Sequence, residues 1–162
     1  MFAITLADLA TNWSSYYSNH AVLRTLVEFA HIAGLVVAGG AAIVSDRAIL
    51  AAIRRGDVER HTLLNSVRHT HGVVLVGLVA VMASGGLLLL ADLDTYVASR
   101  LFWTKMALIV LLVVNGLVLT AAERRARENH EISLGTLRWT AIASLALWFL
   151  TTLTGTGLLN MG

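Results

Sequence analysis

Cysteine and proline are both absent from the 162 residues of this chain. Without thiols there are no disulfides, no thiolate metal site and no thiol nucleophile. Without proline, nothing in the chain interrupts a long helix. Charge is also scarce. Only 14% of the residues are charged, against about 25% in an average soluble domain. Apolar residues take the place of the missing charge, at 57% of the chain with a mean hydropathy of +0.74. One core of this size cannot absorb that excess, so lipid is the expected solvent. The first residues, "MFAITLADLATNWSSYYSNH", carry no basic residue ahead of their short apolar stretch, and no secretory signal is expected there.

Four apolar segments stand out, at about residues 26–45, 72–91, 101–121 and 137–158. Each approaches or reaches the ~20 residues that cross a bilayer as a helix. The expected fold is an all-α integral membrane protein, a single domain over 1–162 built as a bundle of four transmembrane helices. Phe2, Leu6, Leu9, Trp13 and Tyr16 recur at helical spacing, so residues 1–19 read as an amphipathic helix on the membrane surface. Basic residues concentrate in two connections. Arg47, Arg54, Arg55, Arg60 and Arg68 lie in the first, and Arg124, Arg125, Arg127 and Arg138 in the third. The positive-inside rule then puts connections 46–71 and 122–138 in the cytoplasm and both termini outside. Acidic residues interleave with these arginines, which argues against nucleic acid as a partner and for lipid.

The polar residues inside the spans are the candidate site. Arg24, Glu28, His31, Ala38, Ala42 and Ser45 are separated by three, four or seven residues and share one helical face. Lys105 lies just inside the outer end of the third span, at a depth similar to His31. An ionisable residue within a span is a functional candidate whose partner must be named; the named set is Arg24, Glu28, His31 and Lys105. Lys105 also reads as an interfacial anchor, and His31 as an interhelical hydrogen-bond partner. Gly39-Gly40 and Gly85-Gly86 read either as close helix crossings or as room for a flat cofactor. In the fourth span, Thr140, Ser144, Thr151 and Gly155 follow one face.

At the inner end, Asp46 is placed to pair with Arg68 or His71, and His71 is a secondary candidate ligand. His31 and His71 lie at opposite ends of neighbouring spans, roughly 20 Å or more apart, so they do not share one metal ion in one subunit. No histidine pair has the i, i+4 spacing of a helical zinc site.

The stretches "FAHIAGLVVAGGAAIVSDR" and "RLFWTKMALIVLLVVNG" together resemble the bacterial four-helix membrane family that includes the haem-containing protoporphyrinogen oxidase and the membrane part of copper-resistance protein D. By position, His31, Arg47 and Lys105 match that family's functional residues. The residues after His31 and before Arg47 depart from the oxidase, which has a Trp and a Pro there. The resemblance implies a bacterial inner-membrane protein with a b-type haem in the outer half of the bundle. His31 would be the iron ligand, Lys105 and Arg24 propionate partners, and Glu28 the group that sets the imidazole tautomer. Its expected role is electron transfer or a small redox conversion, as a membrane haem oxidoreductase linked to quinone or another redox partner. Two alternatives stand beside it: transport of copper or another metal or solute, and a structural subunit of a homo-oligomer or larger membrane complex.

Overall fold

The computed structural model describes the backbone of residues 6–55, 60–127 and 134–161, and all of the regular structure among them is helical. In chain order the helices are α1 (Leu6–Asn19), α2 (Ala21–Arg55), α3 (Arg60–Ala91), α4 (Leu93–Ala98), α5 (Arg100–Arg127) and α6 (Leu134–Met161). Four of them contain stretches long and apolar enough to cross a membrane: Ala21–Arg55, Gly72–Ala91, Arg100–Ala122 and Leu134–Leu158. These match the four apolar segments read from the sequence.

The connections differ from that reading. Residues 46–71 and 122–138 are mostly helix, because α2 runs on to Arg55, α3 begins at Arg60, α5 runs to Arg127 and α6 begins at Leu134. Charge ends an apolar run but does not end a helix. Arg, Ala and Glu are good helix formers, and Arg54 and Arg55 lie in the last turn of α2, where cations complement the helix dipole. The stretch "ADLDTYVASR", at the end of the bundle expected to face outward, likewise contains α4, whose end is anchored by a bond from Trp103 Nε1 to the Val97 carbonyl at 3.0 Å.

Packing joins the helices as two antiparallel pairs. The α2–α3 contact is the most extensive, α5–α6 follows, and α2 against α6 links the pairs. The α2–α3 crossing is close because it is built on small residues. A Cβ at Gly77 would lie 2.8 Å from the Ala38 Cβ, and one at Gly34 would lie 2.9 Å from a Val81 methyl. Glycine at such crossings lets backbones approach and gain dispersion contacts, which is what holds helices together where lipid is as apolar as leucine. Trp148 of α6 packs its indole over Gly39, in a cluster with Ala38, Ala42 and Leu112. A second cluster, toward the inner end, joins Ile49, Leu119, Leu137 and Ala141. Gly40 and Gly86 have open space around them. The glycines that do face a neighbour serve close packing.

Helix α1 lies against the outer ends of α3 and α2. Ala10 is buried and Trp13, Ser14 and Tyr17 are half-buried, while Leu9 and Tyr16 stay exposed. The docking face is thus rotated from the stripe of apolar residues, and Trp13 is shared by both. The reason is hydrogen bonding. Carbonyls near a helix C-terminus lack intrahelical donors. Ser14 Oγ reaches one such carbonyl, that of Ala91, at 2.7 Å, and Trp13 Nε1 reaches the Leu87 carbonyl, one turn earlier in α3, at 2.8 Å.

The Tyr17 hydroxyl donates to Glu28 at 3.4 Å. Burial, and then the Glu28 carboxylate, raise the Tyr17 phenol above its ordinary value. A raised folded-state value means that the neutral phenol stabilises docking below the unfolded tyrosine's value near 10, and that this contribution is lost as pH rises through the higher folded value. We therefore expect α1 to become more susceptible to proteolysis as pH climbs past about 10, with the transition flattened in Tyr17→Phe. Limited proteolysis across pH in detergent checks this. The variant is needed because Tyr96 is raised as well, by burial and then by Asp92 and Glu28.

Candidate functional site

Toward the outer end, α2 directs His31 at α3. The His31 ring sits over Gly85, with its Cε1 3.1 Å from where a Cβ would stand. The absent side chain is what makes room for the imidazole. His31 Nδ1 is 3.1 Å from Ser84 Oγ. Ser84 lies 2.6 Å from the Ala80 carbonyl of its own helix. One hydroxyl proton serves one strong bond, and the shorter contact takes it. Ser84 Oγ therefore accepts from His31 Nδ1–H. The tautomer follows from this network: Nδ1 carries the proton and Nε2 keeps its lone pair.

Lys105 of α5 reaches across to α6, not toward the lipid surface. Its Nζ lies 3.3 Å, and its Cε 3.6 Å, from where a Cβ at Gly155 would stand. It is half-buried. Two glycines thus seat two functional groups: Gly85 the imidazole, and Gly155 the ammonium. One turn before Gly155, Thr151 is 4% exposed, and its Oγ1 has no hydrogen-bond partner among the described residues.

The other candidates fall elsewhere. Arg24, Glu28 and Arg47 are exposed. Glu28 is bonded to Tyr17, so the acceptor that orients His31 is Ser84, a role the sequence reading had assigned to Glu28. Helical spacing put Arg24 and Glu28 on the face of His31, but toward the α1 end of α2 that face is exposed. Ala38 and Ala42 on the same face are buried. At the inner end Asp46 is 2% exposed. It is hydrogen-bonded to Ser144 of α6, while its Oδ2 has no partner among the described residues. The side chains of Arg68, His69 and His71 lie outside the described residues. No group of three or more His, Asp or Glu side chains able to hold a metal ion exists among the described residues.

Reasoning from sequence missed Ser84, the pairing of Gly155 with Lys105 and the isolation of Thr151. The adjacency of Ser84 to Gly85, and the "TGTG" run at 154–157, were the available signals. Neither identifies its partner helix.

Four membrane-length apolar helices define a helical protein of the multi-pass membrane class. The chain belongs to DUF6644, a family of unknown function, whose model matches residues 11–159. No curated protein and no solved structure matches it.

Proposed function

We propose that this protein is a bacterial inner-membrane, four-helix protein that binds a b-type haem through His31 and takes part in electron transfer or a small redox conversion. In this reading both termini face outward, the arginine-rich helix ends face the cytoplasm, and α1 lies at the outer interface. The observation that carries the reading is the state of His31. Its Nδ1 lies 3.1 Å from Ser84 Oγ, whose own proton goes to the Ala80 carbonyl; this assigns the ring proton to Nδ1 and leaves the Nε2 lone pair for a metal. A ligating histidine needs this arrangement, with the second nitrogen held by a hydrogen bond that sets the tautomer and ring orientation.

The residues present fit the group in two respects. His31 offers one axial nitrogen, and Lys105 offers a cation for a carboxylate of the macrocycle. Bound there, haem would supply one-electron chemistry at a potential set by the axial ligand and its hydrogen bonds. The chain's own part is to orient the imidazole through Ser84, to make room for its ring at Gly85, and to hold positive charge nearby at Lys105. A membrane quinone is the redox partner that suits a site among lipid-embedded helices.

The transport reading requires a polar path from this site to Asp46. Between the two levels the Trp148 indole packs on Gly39 within an apolar cluster, which favours the redox reading.

The test is the visible spectrum of detergent-purified protein from haem-supplemented cells, oxidised and dithionite-reduced. We expect a Soret band with one haem per chain, lost in His31→Ala. In Ser84→Ala the haem is retained but its affinity falls by about 10-fold or more, the usual effect of removing an outer hydrogen-bond partner. Folded wild-type protein with a featureless spectrum would sink the reading.

A further inference from the structure

We propose that Lys105 and Thr151, on either side of the Gly155 notch, form a seat for one carboxylate group between α5 and α6. The inference deepens the haem reading, since a propionate is one source of such a group; a free lipid-soluble carboxylic acid is the other.

Three observations converge on it. First, the half-buried Lys105 ammonium has no acidic side chain among the described residues to neutralise it. A charge taken out of water without a partner is costly. Second, Gly155 holds the Nζ within 3.3 Å of its missing Cβ, so the ammonium is drawn onto α6 by the shape of that helix. Third, Thr151 behaves unlike the threonines around it. Thr140, Thr152, Thr154 and Thr156 each donate to a carbonyl of their own helix, at 2.9, 2.9, 2.9 and 3.1 Å. That is the ordinary way a threonine satisfies itself in an apolar helix. The Thr151 hydroxyl is buried and makes no such bond.

Thr151 and Gly155 are one turn apart on the same face, roughly 5–6 Å from each other. A group with two acceptor oxygens spans that interval, with one oxygen toward the Lys105 ammonium and the other toward the Thr151 hydroxyl. One cation matches one negative charge. A phosphate dianion would leave charge uncompensated in an apolar setting, and a single-atom anion would not span both donors. A monocarboxylate fits both counts.

The test uses the full chain in detergent, with benzoate and methyl benzoate as probes, followed by isothermal titration. A second arm uses iron protoporphyrin IX and its dimethyl ester, followed by absorbance. The variants are Lys105→Met, Thr151→Val and, as a control, Thr152→Val. Thr151→Val is close to isosteric and removes an unpartnered hydroxyl, so it folds at least as well as the parent. We expect benzoate to bind, methyl benzoate not to, and affinity to fall about 10-fold or more in Lys105→Met and Thr151→Val, with Thr152→Val unchanged. If the free-acid porphyrin also binds more tightly than its ester, and that preference disappears in the same two variants, the carboxylate is a propionate. If benzoate shows the pattern and neither porphyrin binds, the seat serves a free acid and the haem reading falls. Acid and ester binding alike in both arms, or acid binding unchanged in both variants, overturns the seat.

Discussion

Gly77→Ala should lower stability by about 1–3 kcal/mol, the usual cost of overpacking a filled interface, whereas Gly86→Ala and Gly40→Ala should be neutral or slightly stabilising. All three substitutions add one methyl to a helical glycine. They differ in what the methyl meets. At Gly77 it would stand 2.8 Å from the Ala38 Cβ and 2.9 Å from the Ala38 backbone nitrogen. A backbone atom cannot rotate away, so α3 must move off α2. At Gly40 and Gly86 the methyl meets nothing within 4 Å, and alanine gains the helix propensity that glycine lacks, up to about 1 kcal/mol. Reversible unfolding in mixed detergent, followed by circular dichroism, checks the ranking. Equal effects at the three positions would mean that the α2–α3 crossing is looser than described. The same shift would lengthen the His31–Ser84 bond, because that bond crosses the same interface about two turns toward the outer end. If the protein binds haem as proposed, Gly77→Ala should therefore also weaken haem retention without touching the site.

Trp148→Ala should be the most damaging single truncation in the helices, at about 3–5 kcal/mol, the range for removing a buried Trp or Phe side chain. Trp148 is 5% exposed and ties together α2, α5 and α6 through Ala38, Ala42 and Leu112. Its Cε3 lies 3.2 Å from where a Cβ at Gly39 would stand. Removing it leaves a void with no partner atoms at the junction of the two helix pairs. Trp139, on the same helix, is 70% exposed, and Trp139→Ala should stay within about 0.5 kcal/mol, as surface changes do. The same unfolding measurement separates them. Comparable losses for the two tryptophans would show that Trp148 is not the keystone of the α2–α6 contact.

The residues differ in how much of their role could be read without coordinates. The apolar runs were legible because a membrane-length helix is a local property of one continuous segment. The buried face of α6 was legible for the same reason: Thr140, Ser144 and Thr151 recur at helical spacing, and all three are buried. The inward face of α2 was legible in its middle, at His31, Ala38 and Ala42. It was misread toward the α1 end, where Arg24 and Glu28 keep the period but stay exposed. The helices run past the apolar spans into the arginines, as solvated helix ends, because charge marks where lipid stops and not where hydrogen bonding stops.

By itself, then, the sequence determined four membrane-length helices, a polar stripe within them, and the presence of His31 and Lys105 toward one end. These follow from hydropathy and from the 3.6-residue period, which act along a single helix. Only the tertiary structure decided that Ser84 orients His31, that Gly155 receives Lys105, that Trp148 closes the α2–α6 junction and that Thr151 is left without a partner. Each of those depends on which helix lies alongside which, and at what register. That is settled by the fit of small residues into large ones across an interface, which no single helix carries in its own pattern.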